Sequence, residues 1–344
     1  MSYALNHHLT SMNISSIVPG PFAARWILRG FAYVAISLLS LADFGRASEF
    51  IWGVCAHPGT DTWKSYRDIS RDQQLDLLVE LGAKHMRVGE AGFPLMDELL
   101  TKAESKGVEI HPILHSPLPY MEKDANGAYV YTNQQIYDAC YDEGAAWAAR
   151  YQGRISTYEL MNEVEAQCII SGTDGSLASH YDTAKYEKCL AAFLGLSDGV
   201  RSADPAAKRL VGTAGWYHYG FLDRLIADGV DFEILAWHWY SNMGSMTRVL
   251  SKLKSYGKPI WITEIDREQG SQSGQQVDQA NKITGYAHEL KKSGAIEAFF
   301  VYALFDEPYL SSAKSRYGLV ATVNPTGPYV ISTRKQSFYA YQEA

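Results

Sequence analysis

From Glu49 onward, short apolar runs alternate with amphipathic segments about eight times, and this rhythm constrains the fold more than any single motif. The strand-like runs are residues 49–55 (EFIWGVC), 85–88 (HMRV), 109–115 (EIHPILH), the stretch opening at Ser156, 209–213 (RLVGT), 232–240 (FEILAWHWY), 259–263 (PIWIT) and 298–304 (AFFVYAL). Helical segments follow them over residues 70–81, 94–105, 132–150, 183–202, 219–227, 245–256 and 275–293, with a closing helix over 333–342. Between the third run and its helix, Asp124-Ala-Asn-Gly127 reads as a turn, and the tyrosines beside it suggest a small hairpin or flap. Strand and helix repeated in this way over one run of about 300 residues predict a single-domain (β/α)8 barrel, with residues 48–344 as its span. The competitor is a doubly wound open sheet. It calls for a Gly-rich phosphate turn after the first strand, and GVCAHPG is a poor match.

In a (β/α)8 barrel the reactive groups stand at the C-terminal ends of the strands. Two runs, STYELMNE and PIWITE, end abruptly in glutamates, Glu163 and Glu264. A buried strand normally ends on apolar residues, so carboxylates there need a reason. Glycoside hydrolysis supplies one, because it uses a pair of carboxyl groups facing each other across the sugar. The plainer reading makes both of them solvated strand-end residues. Other strand ends offer His57, Arg87, His115, Asn162, His238 with Tyr240, and Asp306 with Glu307. Strand alternation places Ile260, Ile262 and Glu264 on one face; if the isoleucines fill the barrel, Glu264 sits above them. Glu159, Asp266 and Glu268 are alternative second carboxylates. Neither H-x-H, H-E-x-x-H nor C-x-x-C spacing is present, so the sequence predicts no metal and no cofactor.

The order of these motifs resembles clan A of the glycoside hydrolases, the retaining (β/α)8 enzymes, with families 5 and 39 the most similar. Tyr158-Glu-Leu-Met-Asn-Glu163 is similar to the clan's fourth-strand motif, Ala236-Trp-His-Trp-Tyr240 to its sixth-strand His-x-Tyr, and Trp261-Ile-Thr-Glu264 to its seventh-strand nucleophile. The resemblance implies Glu163 as acid/base, Glu264 as nucleophile and a carbohydrate substrate, with Arg87, Asn162, His238, Tyr240, His115, Trp239 and Phe305 binding or supporting. On that reading Arg87 and Tyr240 lower the pKa of Glu264, and Glu163 sits in drier surroundings with a raised one. The strand-eight text departs from the clan: Tyr302-Ala-Leu-Phe305 stands where members often carry a Trp floor, so Phe305 or Tyr302 must substitute. A transglycosylase shares these residues, and a non-catalytic carbohydrate-binding barrel is the rival that has no need of both glutamates.

Composition bears on compartment and partners. A net charge of −7 argues against nucleic acid, and a monomer is expected. Arg25 and Arg29 precede an apolar run, 30–42, and small-residue sites at 40–42 and 45–47. Residues 1–47 therefore read as a signal peptide or a weak N-terminal membrane anchor, and the protein as secreted or periplasmic. Export permits disulfides among Cys55, Cys140, Cys168 and Cys189, with buried free thiols as the alternative.

Overall fold

The computed structural model describes residues 49–344 apart from 59–60, 90, 272–274 and 312; the segment read as an export signal lies outside the described residues. Eight parallel strands close into a barrel in sequence order. They are β1 (Ile51–Ala56), β2 (His85–Val88), β3 (Glu109–Leu114), β4 (Thr157–Leu160), β5 (Lys208–Thr213), β6 (Ile234–Trp239), β7 (Ile260–Ile265) and β8 (Ala298–Val301). The (β/α)8 architecture expected from the rhythm is the one observed. Helices α1 (Arg71–Leu81), α2 (Phe93–Lys106), α3 (Asn133–Arg150), α4 (Thr183–Ala203), α5 (Tyr219–Ala227), α6 (Met246–Lys254), α7 (Gln276–Lys292) and α8 (Gln336–Gln342) follow the strands in turn. No helix among the described residues is long and apolar enough to cross a membrane.

Local sequence sets where helices begin. Ser70 with Gln73, and Thr132 with Gln135, form reciprocal capping boxes at the starts of α1 and α3. Each satisfies two backbone donors that a helix start leaves open. The closing helix is shorter than expected. Thr333 and Arg334 belong to β10 (Val330–Arg334), which pairs antiparallel with β9 (Val320–Val323), and α8 begins only at Gln336. A turn in which Asn324 accepts from the Gly327 N–H folds this hairpin, and β-branched Val330, Ile331 and Thr333 favour a strand over a helix. In the expected flap, Lys123 and Tyr129 form an antiparallel bridge across the turn closed by Asp124.

Strand alternation sorts the core into two layers. Val54, Leu160, Val211, Leu235, Ile262 and Phe299 face the helices, while Cys55, Leu210, Ala236, Trp261, Ala298 and Phe300 form the inward set. Ile260 and Ile262 thus face the helices, contrary to the expectation that they fill the barrel. Trp261 fills it instead. Simple alternation would then aim Glu264 outward. An irregularity in the pairing of β7 prevents this: Trp237 pairs with Ile262 but His238 with Glu264, so one strand carries an extra residue. Such a bulge shifts the facing of everything beyond it, and Glu264 enters the barrel mouth.

Candidate active site

The end of β4 brings two consecutive side chains to one cavity. Met161 and Glu163 adopt left-handed backbone, with φ of 62° and 51°. Non-glycine residues in that region are uncommon and carry strain of about 1–3 kcal/mol. Regular alternation would send Asn162 and Glu163 to opposite faces; here both line the mouth, while Met161 turns into the outer core. The chain then makes a helical turn over Val164–Gln167, held by Glu165. Its carboxylate is buried and accepts from the Ala214 N–H at 2.6 Å, with His218 Nδ1 at 2.9 Å.

Arg87 is the hub beneath the mouth. Its guanidinium donates to both oxygens of Glu159 at 2.6 and 2.8 Å, to Glu264 Oε1 at 2.7 Å and to Asn162 Oδ1 at 2.7 Å. Glu159 is thereby fully engaged as a buried counter-charge, which removes it as an alternative second carboxylate. Asp266 is also buried, bonded to Gln279 rather than facing the cavity. Because Asn162 accepts through Oδ1, its Nδ2 is free to donate into the cavity. The planar fork of arginine explains the arrangement: five donors in fixed directions hold three acceptors in one plane.

Glu264 and Glu163 are coupled through His238. Tyr240 Oη donates to Glu264 Oε2 at 2.7 Å, His238 Nδ1 lies 2.7 Å from Glu163 Oε1, and the same nitrogen lies 3.6 Å from Glu264 Oε2. Burial raises the pKa of Glu264, but His238, Arg87 and the Tyr240 hydroxyl together carry it below the ordinary value. The lowering is as expected, although His238 contributes more than either group named from sequence. Glu163 departs from expectation. Burial raises its pKa, yet the hydrogen bond with His238 and the charges of His238, Arg87 and Lys314 leave it lowered. Its side chain is 37% exposed, so the dry pocket that would hold it protonated is missing. His238 carries the complement: burial opposes its charge, Glu264 and Glu163 outweigh that, and its pKa is raised. Arg87 Nη2 lies 3.4 Å from His238 Nε2, farther than from its acceptors on Glu159 and Asn162.

The two glutamates, Arg87 and Tyr240 border a cavity of about 360 Å³ at the C-terminal ends of the strands, whereas His238 is buried and does not line it. Arg87, Asn162, Glu163, Tyr240, Glu264 and His115 line it. Trp239 and Phe305 do not. Trp239 follows His238 on β6 and by alternation faces the helices, 2% exposed in the outer core. Phe305 lies beyond the barrel wall, where its ring packs on Tyr66 at 4.9 Å and its segment bridges to Val320. Tyr302 takes the wall position instead, with its hydroxyl 3.2 Å from His57 Nε2. Burial pushes His57 down to about 3, so this imidazole is neutral. It stacks on Trp63 at 4.0 Å. Trp63 and Lys314 also line the cavity and escaped the sequence reading. Trp63 sits in a loop and Lys314 in a short helical turn, Ala313–Arg316, where no strand register signals the direction of a side chain.

Two groups among the described residues have donors spaced for a metal ion: Glu163, His238 and Glu264, and, toward the other end of the strands, His85, Glu109 and His111. In the first, the Arg87 cation beside His238 opposes a second cation, and Nδ1 is already engaged. In the second, His85 Nδ1 and His111 Nε2 bond each other at 3.0 Å.

Residues 161–323 match the family described as glycosyl hydrolase catalytic core, a stretch that holds Asn162, Glu163, His238, Tyr240 and Glu264. Among solved structures, the chain is similar to a family 1 β-glucosidase from Thermotoga maritima, with 13% identity, 87% of this chain and 97% of that one covered, and a TM-score of 0.63. It is also similar to xylanase 10B from Thermotoga petrophila, with 16% identity, coverage of 86% and 93%, and a TM-score of 0.57. A third is β-glucuronidase 2 from Bacteroides uniformis, with 16% identity and a TM-score of 0.61, where 87% of this chain covers 34% of the larger one. No curated protein matches the chain. A closed (β/α)8 barrel bearing a glycosyl hydrolase catalytic core defines the class: the protein is a glycoside hydrolase. Its likeness is to the TIM-barrel glycosidases of clan A.

Proposed function

We propose that the protein cleaves β-glycosidic bonds in an oligo- or polysaccharide by retaining double displacement, with Glu264 as nucleophile and Glu163 as acid/base. One observation carries this reading: donor oxygens of Glu163 and Glu264 lie within 4.8 Å of each other across the barrel mouth. A nucleophile that touches the sugar carbon directly requires carboxyl groups about 5–5.5 Å apart, whereas inversion leaves roughly 6.5–9.5 Å for a water.

In the first step a Glu264 oxygen bonds to the anomeric carbon as the bond to the leaving oxygen breaks. That oxygen takes its proton from Glu163. In the second step Glu163 removes a proton from water, which attacks the same carbon and releases Glu264. Arg87 and Tyr240 keep Glu264 ionised and aimed, and Asn162 Nδ2 donates to the sugar hydroxyl beside the reacting carbon. The resting Glu163 is ionised beside a charged His238, so its proton comes from the imidazolium: it crosses the 2.7 Å hydrogen bond from Nδ1 to Oε1 as negative charge develops on the leaving oxygen, and leaves a neutral ring protonated on Nε2.

The test uses aryl glycosides and NMR. Glu264→Ala should abolish turnover. Glu163→Ala should lose about 10²–10⁴-fold with poor leaving groups but little with very good ones, and azide should then accelerate it. The first product should keep its anomeric configuration. An inverted first product, or equal losses at both glutamates without rescue, overturns the mechanism. Sugar products longer than the substrate would point instead to transglycosylation through the same intermediate. A secreted or periplasmic setting goes with this reading, motivated by Arg25, Arg29 and the apolar run 30–42. N-terminal sequencing should find cleavage after Ala42 or Ala47, and an intact cytoplasmic chain would count against it.

A further inference from the structure

Cys168 and Cys189 meet at the base of the loop that leaves Glu163. Their Sγ atoms lie 3.1 Å apart, and both side chains are buried. Cys168 ends the helical turn Val164–Gln167, and Cys189 lies on the inner face of α4. The intervening segment departs from Cys168 and returns at once. The Asp182 N–H donates to the Cys168 carbonyl, the Ile170 N–H donates to that of His180, and Ile169 bridges Tyr181. The two sulfurs therefore sit where the two arms of this excursion already run side by side.

We propose that Cys168 and Cys189 form a disulfide in an oxidising medium, locking the loop that carries Glu163 to α4. The bond requires the sulfurs to close by only about 1 Å, to about 2.05 Å. The other two thiols are otherwise engaged. Cys55 points into the barrel, donating to the Thr263 carbonyl at 3.1 Å, and Cys140 turns toward Ser116. Tyr120, from the β3–α3 loop, packs beside the pair, so three segments converge on it. The oxidant is a low-molecular-weight disulfide such as oxidised glutathione. One cysteine thiolate attacks it and expels a glutathione thiolate; the second cysteine then displaces glutathione from the mixed disulfide. Two protein S–H bonds are replaced by one S–S bond, and one oxidised glutathione becomes two reduced ones.

The full chain, incubated folded with oxidised glutathione and then denatured and alkylated without reductant, should titrate two thiols. Mass spectrometry should place them at Cys55 and Cys140 and recover a linked peptide pair containing Cys168 and Cys189. Reduction should lower Tm by roughly 5 °C, because the bond closes a loop of about 20 residues in the unfolded chain. The Tm of Cys189→Ala should not respond to reductant. Four remaining thiols, a stable glutathione adduct, or a link through Cys55 or Cys140 would overturn the pairing. A mapped Cys168–Cys189 link with unchanged Tm would overturn the lock.

Discussion

His238 is where residue-scale chemistry departs most from what the motif suggests. A raised pKa on this histidine and lowered ones on both glutamates mean that the site stores one proton on the Glu163–His238 pair rather than on Glu163 alone. The pair titrates as a unit, so its limbs belong to the coupled system. On the proposed mechanism the active form has Glu264 ionised and one transferable proton on the pair. As pH falls through the lowered pKa of Glu264, the nucleophile is lost, so the acid limb of kcat/KM should lie below the ordinary glutamate value of about 4.3. As pH rises through the raised pKa of His238, the stored proton leaves, so the alkaline limb should lie above the ordinary histidine value of about 6.5. His238→Asn removes the store, and the alkaline limb should move toward the carboxylate range; a profile unchanged in this variant would refute the stored proton. The residue types of this network were legible in the sequence. Its protonation was not, because it depends on a 2.7 Å contact between β4 and β6, which are far apart along the chain.

At the scale of elements, strands and helices were legible wherever periodicity is strong, and facing was lost wherever the backbone departs from it. Two irregularities create the site. The extra residue in β7 turns Glu264 inward, and left-handed Met161 and Glu163 bring Asn162 and Glu163 to one cavity. Neither leaves a mark on the sequence, since Thr263 and Met161 are unexceptional in a strand. Trp239 was misplaced for the opposite reason: β6 stays regular, and regular alternation sends it outward beside an inward His238. The β9–β10 hairpin was hidden because its second strand runs directly into α8. Close approach of α3 and α4 likewise has no periodic signature. It rests on glycines: a Cβ at Gly199 would fall 2.2 Å from the Tyr141 carbonyl oxygen, and one at Gly195 would fall 2.4 Å from that of Tyr137. These two helices thus pack backbone to backbone behind β4, and Cys189 lies on the same helix that the glycines admit.

For the whole molecule the decisive step is closure, since a barrel exists only when β8 pairs with β1. That seam joins Trp52 to Phe299 and Gly53 to Phe300. The chain's last helix fastens it. Tyr341 on α8 shares its hydroxyl proton between the carbonyls of Gly53 at 2.9 Å and Phe299 at 3.1 Å, one from each side of the seam. Its ring packs edge-on against Trp52 at 5.5 Å and beside Phe299 at 6.1 Å. The eightfold rhythm announced a barrel, yet nothing in the periodicity said that the final turn of helix would staple its first and last strands. Tyr341→Phe keeps the ring and loses the shared hydrogen bond, and should cost about 1 kcal/mol. Tyr341→Ala also opens a cavity at the seam, and should cost about 3–5 kcal/mol in urea unfolding, the range of large aromatic truncations. The cavity bordered by Glu163 and Glu264 stands at the C-terminal ends of the strands, away from this staple, so on the proposed mechanism kcat of the folded variants at 25 °C should be unchanged. A loss below about 1 kcal/mol in the alanine variant would mean that α8 decorates the barrel without closing it.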